Sequence, residues 1–458
     1  MTAAHRCLPP TPAAGDPVQP RWEVADIVRL SGAASLQTHP VSPAQQKVLE
    51  AIAACRTAQL GGHTEQCPQC GFERYAYHAC RNRHCPKCQS FPTAQWVEAR
   101  QAALLPVPYF HTVFTLPHDL NPLLLGNKRL LVPLLFAAAS QTLPQFGQQN
   151  LGGQLGSIMV LHTWDQRLNA HFHVHCLVPG GALANQGTRW VPTHPRFLFP
   201  VHALATVFRA KCLEALRPLW TADTLRAPET PTDLRTPASF QHLLDQLYAT
   251  AWIVYTKPPF AGPAQVVASL GRSTHRVALA NHRLVDVRDG RVRFTYRDRQ
   301  QENRVATITL DAQAFLQRFL LHVLPKGLVR IRHDGFLANR CKSRALRQCR
   351  PLCGQSPEPP RRVPKTVAQW IHHLRGREIT RCPQCGASPL QRTPLAPDAG
   401  RHAPRSPPSQ GLDLTRSATG ATPCITLPST SVEGSSTGSW GRWPTVKLWP
   451  SRASPMNS

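Results

Sequence analysis

Apolar residues recur at helical spacing near the N-terminus, thin out, and then return with a period of two. Helical spacing runs over residues 21–30, and Ser42 followed by Pro43 supplies an N-cap and a first-turn proline for a second helix over 44–58. Between 63 and 88 there are too few large apolar side chains to bury a core, so something other than hydrophobic packing must hold that stretch. From 109 onward short β-rich runs read as strands over 110–116, 157–164, 171–178 and 252–255, separated by helical segments over 123–142 and 201–220. A helix begins at Pro263, and a hairpin of 277–287 and 292–296 turns at Asp289-Gly290, where the backbone needs positive φ. A strand over 307–310 and helices over 312–324 and 365–374 follow. Residues 221–240 are rich in Pro and Thr and read as a loop. Residues 1–20 read as a flexible arm, and 396–458, without apolar period, as a disordered tail. The expected class is α+β: a small antiparallel sheet with packed helices, preceded by a Cys-rich domain.

Composition narrows the partner. Lys and Arg number 52 against 25 Asp and Glu, a formal charge of +27, which points to a polyanion. The longest apolar run, 130–139, is well short of the ~20 residues a membrane span needs, so no membrane partner is expected. The first residues lack the apolar stretch of a signal peptide. The 15 cysteines are therefore assigned to a reducing cytoplasm and read as metal ligands or inert thiols.

Two Cys-x-x-Cys turns, at Cys67 and Cys70 and at Cys85 and Cys88, are separated by fourteen residues. Such turns aim four thiolates at one point, the closed tetrahedral shell of structural zinc. Cys80, His84 and His63 lie nearby as alternative ligands. A redox role fits less well, because a redox pair opens a helix after a strand. Arg74, Arg81, Arg83 and Lys87, interleaved with Tyr75 and Tyr77, suit a nucleic-acid backbone with stacked bases; the plainer alternative is a solvated face. Cys382 and Cys385 form half of a similar device, with Cys341, Cys349 and Cys353 as the available partners.

In a strand, His171, His173 and His175 point to one face while Phe172 and Val174 point to the other. Histidines accept Zn, Mn, Fe and Ni, and help hold Mg or Mn beside a phosphate when oxygens complete the shell. The alternative is a polar sheet face in water. A hairpin would bring His162 of the preceding strand beside the trio, and Pro179-Gly180-Gly181 offers bare backbone for ligand approach.

Several motifs stand in order along the chain: Cys67-Pro-Gln-Cys70, Cys80-Arg-Asn-Arg-His-Cys-Pro-Lys-Cys88, Leu161-His-Thr-Trp164, His171-Phe-His-Val-His-Cys-Leu-Val-Pro-Gly-Gly181, Lys257-Pro-Pro-Phe260 and Ile331-Arg-His-Asp-Gly335. From about residue 25 to 390 the chain resembles the rolling-circle transposases of the insertion sequence 91 family. The resemblance implies a zinc-binding domain joined to a His-hydrophobe-His endonuclease that acts on single-stranded DNA at the ends of a mobile element, in a bacterial cytoplasm near the nucleoid. It makes His173-Val174-His175 the metal pair and His162 the third ligand, with Mg or Mn as the ion. A tyrosine would attack phosphorus, forming a 5′-phosphotyrosine and freeing a 3′-hydroxyl, so that strand transfer needs no ATP. The family's tyrosines stand in a Tyr-Leu-Gly-Arg-Tyr stretch; here it reads Ser269-Leu270-Gly271-Arg272-Ser273, with Arg272 as a DNA contact. Tyr255 is the fallback nucleophile. A non-catalytic DNA-binding remnant or repressor is the alternative reading, and a zinc-ribbon RNA-binding or replication factor a more distant one. The implied division is an arm over 1–20, a helical zinc-binding domain over 21–100, an endonuclease-like domain over 101–340, a Cys-containing region over 341–395 and the tail.

Overall fold

The computed structural model describes residues 21–226, 236–257, 263–274, 278–298, 301–358, 365–376 and 378–398, without the side chains of 269, 272–274 and 375. The arm over 1–20 and the tail beyond 398 lie outside the described residues. In chain order come α1 (Val24–Thr38), α2 (Pro43–Ala54), β1 (Gly62–Gln66), β2 (Glu73–Tyr77), α3 (Ser90–Gln101), β3 (Tyr109–Thr115), α4 (Asn121–Gly126) and α5 (Lys128–Leu151). There follow β4 (Gly153–Gln154), β5 (Gly156–Trp164), β6 (Ala170–Pro179), β7 (Gly181–Ala184), β8 (Arg189–Pro192), α6 (Val201–Thr221), α7 (Pro237–Ala249), β9 (Ile253–Lys257) and α8 (Pro263–Thr274). The chain continues with β10 (Leu284–Arg288), β11 (Arg291–Asp298), β12 (Arg304–Asp311), α9 (Ala312–Leu321), β13 (Ile331–Gly335), α10 (Lys342–Leu352), α11 (Val367–Arg375) and β14 (Gln391–Leu395).

The fold is α+β. Its central sheet has five antiparallel strands in the order β13-β5-β6-β3-β9. Alternation gives the sheet two unlike faces. Phe110, Phe114, Met159, Leu161, Phe172, Val174, Cys176 and Val178 pack with Leu135, Phe136, Phe208 and Leu244 of α5, α6 and α7 into the largest core. Helix α5 is apolar enough and long enough, at 24 residues, to cross a membrane, but its Leu131, Val132, Leu135, Phe136, Ala139 and Leu143 are buried in this core. It is a core helix. On the other face, Tyr109, Ile158 and Leu177 are covered by α3, α8 and α10, leaving the histidine end of the sheet uncovered by that cluster.

A second core joins α1, α2 and α9 to the sheet β10-β11-β12, and a third small sheet, β14-β1-β2, sets side by side strands that are 327 positions apart at Glu65 and Arg392. The last strand of the C-terminal Cys-containing region pairs with β1 from Gly62↔Leu395 to Gln66↔Gln391.

Two expectations need correction. Residues 237–249 form α7 rather than a loop, because Thr236 accepts the Ser239 N–H as an N-cap and Pro237 starts the first turn. The first strand of the hairpin begins at Leu284, not 277.

Candidate metal centre and nucleic-acid surface

His162 of β5 stands directly opposite His173 of β6, with His175 two residues further along the same face. Their ligand atoms lie within 4.8 Å of one another, and the His162 and His175 rings are 4.2 Å apart. Two of the rings are oriented from behind. The Nδ1–H of His173 donates to the His171 carbonyl at 2.9 Å, which fixes the tautomer and puts the ring's lone pair on Nε2. His175 Nδ1 meets His111 Nε2 at 2.7 Å. His162 is buried and its Nε2 has no hydrogen-bond partner among the described residues, a costly state for a polar atom unless something else occupies that direction. Burial, reinforced by His173, holds His162 well below the usual histidine range, and burial pushes His111 down to about 4. Three ring nitrogens this close together, two of them on buried imidazoles, suit a divalent ion, so these three residues fit a metal.

His171 does not join them. The β5–β6 register shifts between His162 and Trp164, and although the His171 ring lies 4.7 Å from that of His173 and 5.1 Å from that of His118, its nitrogens are not among those that converge. Nor do the glycines of Pro179-Gly180-Gly181 admit a ligand. A Cβ at Gly181 would strike the Trp190 ring, and one at Gly180 would meet the Pro108 carbonyl.

Cross-strand register carries two more groups onto the histidine face. His175 pairs with Val113 and Val113 with Tyr255, while Leu177 pairs with His111 and His111 with Lys257. Sequence reasoning overlooked His111 and Lys257, although the alternation of β3 and β9 was there to be read. Tyr255 is 37% exposed, and partial burial raises its phenol above the usual range. Helix α8 packs against α3 through Val267, Leu270 and Gly271, where a Cβ would strike Val97. The side chains of Ser269, Arg272 and Ser273 on that helix lie outside the described residues.

The cysteines converge in two sets of four. Cys55 lies 3.5 Å from Cys88 and 3.7 Å from Cys85, and Cys80 lies 3.5 Å from Cys88, sulfur to sulfur. Cys67 lies 3.5 Å from Cys385 and Cys70 3.6 Å from Cys382. Four thiolates around zinc at ~2.3 Å stand about 3.8 Å apart, so both sets are near that size. The expected set of Cys67, Cys70, Cys85 and Cys88 is thus divided between two clusters. Cys80 belongs to the first, completed by Cys55, a lone cysteine with no spacing to mark it. His84 belongs to neither. It is buried, its Nδ1 meets Asn82, its Nε2 accepts the Leu324 N–H at 3.2 Å, and burial with Arg83 beside it pushes it down to about 3. His63 instead lies 3.3 Å from Glu65. Cys349 is buried in the core beside α3, away from both clusters.

A family model described as "Transposase zinc-binding domain" matches residues 27–116, and one described as "Putative transposase" matches 156–344. The chain is 45% identical over 368 residues to "Putative transposase y4qJ" of Sinorhizobium fredii, covering 79% of this chain and 92% of that protein. It is 30% identical over 299 residues to the transposase for insertion sequence element IS801 of Pseudomonas savastanoi pv. phaseolicola, covering 63% of this chain and 68% of the other. The chain is a transposase of the insertion sequence 91 family. A solved structure of the conjugative relaxase TrwC with oriT DNA aligns with 35% of the transposase and 68% of its own chain at 12% identity. Its TM-score of 0.18 supports no conclusion.

Most of the basic residues expected to meet DNA are used inside the transposase. Arg83 donates to the Leu324, Pro325 and Leu328 carbonyls at 2.7–3.0 Å, and burial lowers its pKa. Lys87 pairs with Glu23 at 2.7 Å, and Arg74 pairs with Glu65 at 2.5 Å. Their ion partners lie 9 and 64 residues away, too far for a local reading to find. Arg81 is exposed. Tyr75 and Tyr77 are also exposed, at 60% and 37%, and their rings stack 6.3 Å apart on one side of β2.

Proposed function

We propose that the transposase holds one divalent ion, Mg or Mn, on His162, His173 and His175, and that this centre serves cleavage of single-stranded DNA at the ends of its element. The reading rests on buried His162, whose Nε2 has no hydrogen-bond partner among the described residues and which brings a ligand atom within 4.8 Å of those of His173 and His175. His173 presents Nε2 because its Nδ1–H is donated to the His171 carbonyl, and His111 orients His175. When bound, the ion polarises the scissile phosphate and offsets developing negative charge. Lys257, beside His111 on the same face, adds a cation for a phosphate oxygen.

Cleavage also needs a nucleophile. Attack by a tyrosyl oxygen forms a P–O bond to the protein as the phenol loses its proton and breaks the P–O3′ bond, and the departing 3′-oxygen takes up a proton to become the 3′-hydroxyl. Positions 269 and 273 carry serine, whose hydroxyl is far less acidic than a phenol at pKa ≈ 10, so this chain binds its DNA with little or no nicking. A second reading has its own support: the strand register puts Tyr255 on the histidine face, where its phenol would replace the missing pair.

The deciding experiment incubates the natural protein, S269Y/S273Y and Y255F with an end-containing oligonucleotide and Mg²⁺ or Mn²⁺, and looks for covalent adducts on a denaturing gel. We expect none from the natural protein and a 5′-linked adduct from the doubly restored one. An adduct from the natural protein that maps to Tyr255 and vanishes in Y255F would replace the first reading by the second. A restored protein that binds DNA but forms no adduct with either ion would overturn the metal-centre reading.

A further inference from the structure

The family's zinc-binding domain matches only residues 27–116, which supplies the four cysteines of the first cluster and two of the second. The other two stand 312 or more residues further along. Their turn repeats the first in detail. The Cys67 N–H donates to the Phe72 carbonyl and the Gly71 N–H to the Cys67 carbonyl, at 2.8 and 3.0 Å. Likewise the Cys382 N–H donates to Ala387 and the Gly386 N–H to Cys382, at 2.8 and 2.9 Å. Both glycines have positive φ, +71° and +76°, so two Cys-Pro-Gln-Cys-Gly knuckles of one shape face each other.

Packing alone does not account for the meeting. The apolar cluster there consists of Cys67, Cys382 and Leu390, with Phe72 and Ala387 at its edge. Such a cluster is far too small to offset the ordering of two chain segments. Glu65, buried between Arg74 and Arg392, adds one ionic tie across β1 and β14, and an ion pair with a half-exposed arginine is weak support for stability. Thiolate–metal bonds supply folding free energy in segments of this sort.

We propose that Cys67, Cys70, Cys382 and Cys385 bind a second zinc ion, separate from the one held by Cys55, Cys80, Cys85 and Cys88, and that this ion fastens residues 378–398 to the N-terminal strands. It closes a three-stranded ribbon of β14 with the β1–β2 hairpin, with the endonuclease-like region as the loop between them. The ribbon's edge strand is β2, so the same ion fixes the frame that carries Tyr75 and Tyr77.

The test uses full-length, zinc-loaded protein under reducing conditions, and needs no DNA. Metal analysis with native mass spectrometry should give two zinc ions per chain bound to cysteine, and one for C382S/C385S. Cys70 and Cys385 are exposed, so as free thiols they would alkylate readily. Bound to zinc they should react about tenfold more slowly or less, until a chelator is added, because the metal holds the nucleophilic thiolate. In C382S/C385S, Cys67 and Cys70 should become reactive while Cys55, Cys80, Cys85 and Cys88 stay protected, which also shows that the rest of the chain remains folded. A single zinc in the natural protein, alkylation of Cys70 and Cys385 at the free-thiol rate, or disulfide-linked peptides joining the two knuckles would each overturn the proposal.

Discussion

His322 shows how one side chain ties stability to pH. It is fully buried at the end of α9, where its Nε2–H donates to the Leu168 carbonyl and its Nδ1 accepts from the Thr163 hydroxyl, both at 3.1 Å. Both ring nitrogens are used in the neutral form. Burial pushes it down to about 4, with Lys128 adding to the shift and Asp165 opposing it. Because the unfolded chain takes up the proton first, near pH 6.5, this group's contribution is complete above that pH and declines as pH falls toward 4. At pH 5 the loss amounts to about 2 kcal/mol. Urea unfolding at pH 7.5 and 5 should therefore show a smaller drop for H322Q than for the natural protein; equal drops would refute the assignment. Residue identity alone did not reveal this role, nor those of Arg83 and Lys87. A sequence names a charge, whereas its partner 64 or 245 positions away is a product of the fold.

At the scale of elements, alternation was the most readable signal. The strand expected over 171–178 became β6, and the face shared by His173 and His175 follows from period two alone. Convergence of the cysteines was less readable, because two like knuckles in one segment invite pairing with each other. The real partner of the first lies on β14's approach, and nothing local distinguishes the two arrangements. Helix α7 was missed because its Thr-Pro start sits in a stretch whose composition favours loops. Gly335, in the Ile-Arg-His-Asp-Gly motif, is an element-level constraint with a measurable consequence. It has φ +61°, and a Cβ there would collide with the Leu155 carbonyl at the start of β5. Strand β13 pairs with β5 from Gly335↔Gly156 to Ile331↔Val160, so the collision pushes apart the two strands that carry His333 and His162. G335A should lose more than about 1 kcal/mol, since strained φ and steric clash add. Thermal unfolding checks this, and an unchanged melting temperature would show that the motif's glycine is not required by the backbone.

Charge acts at the scale of the whole molecule. A surplus of 27 positive charges predicts attraction to nucleic acid without saying where it binds, and burial of Arg83 and pairing of Arg74 and Lys87 remove three residues from the available footprint. Of the contacts expected in this segment, Arg81 stays exposed, as does the stacked pair Tyr75 and Tyr77. These two kinds of group leave different signatures in a salt titration. Each phosphate neutralised on a single strand releases counterions and steepens the fall of log K with log salt by about 0.7. Stacking of a base on an aromatic ring contributes about 1–3 kcal/mol and involves no counterion. Fluorescence anisotropy with a single-stranded oligonucleotide should therefore show affinity falling steeply with salt. R81A should flatten the slope, and Y75A/Y77A should weaken binding by a similar factor at every salt concentration while leaving the slope unchanged. A salt-independent affinity of the natural protein would remove phosphate contacts as the main source of binding. If instead Y75A/Y77A altered the slope and left low-salt affinity intact, the tyrosines would be acting through the ribbon's fold rather than by stacking on bases.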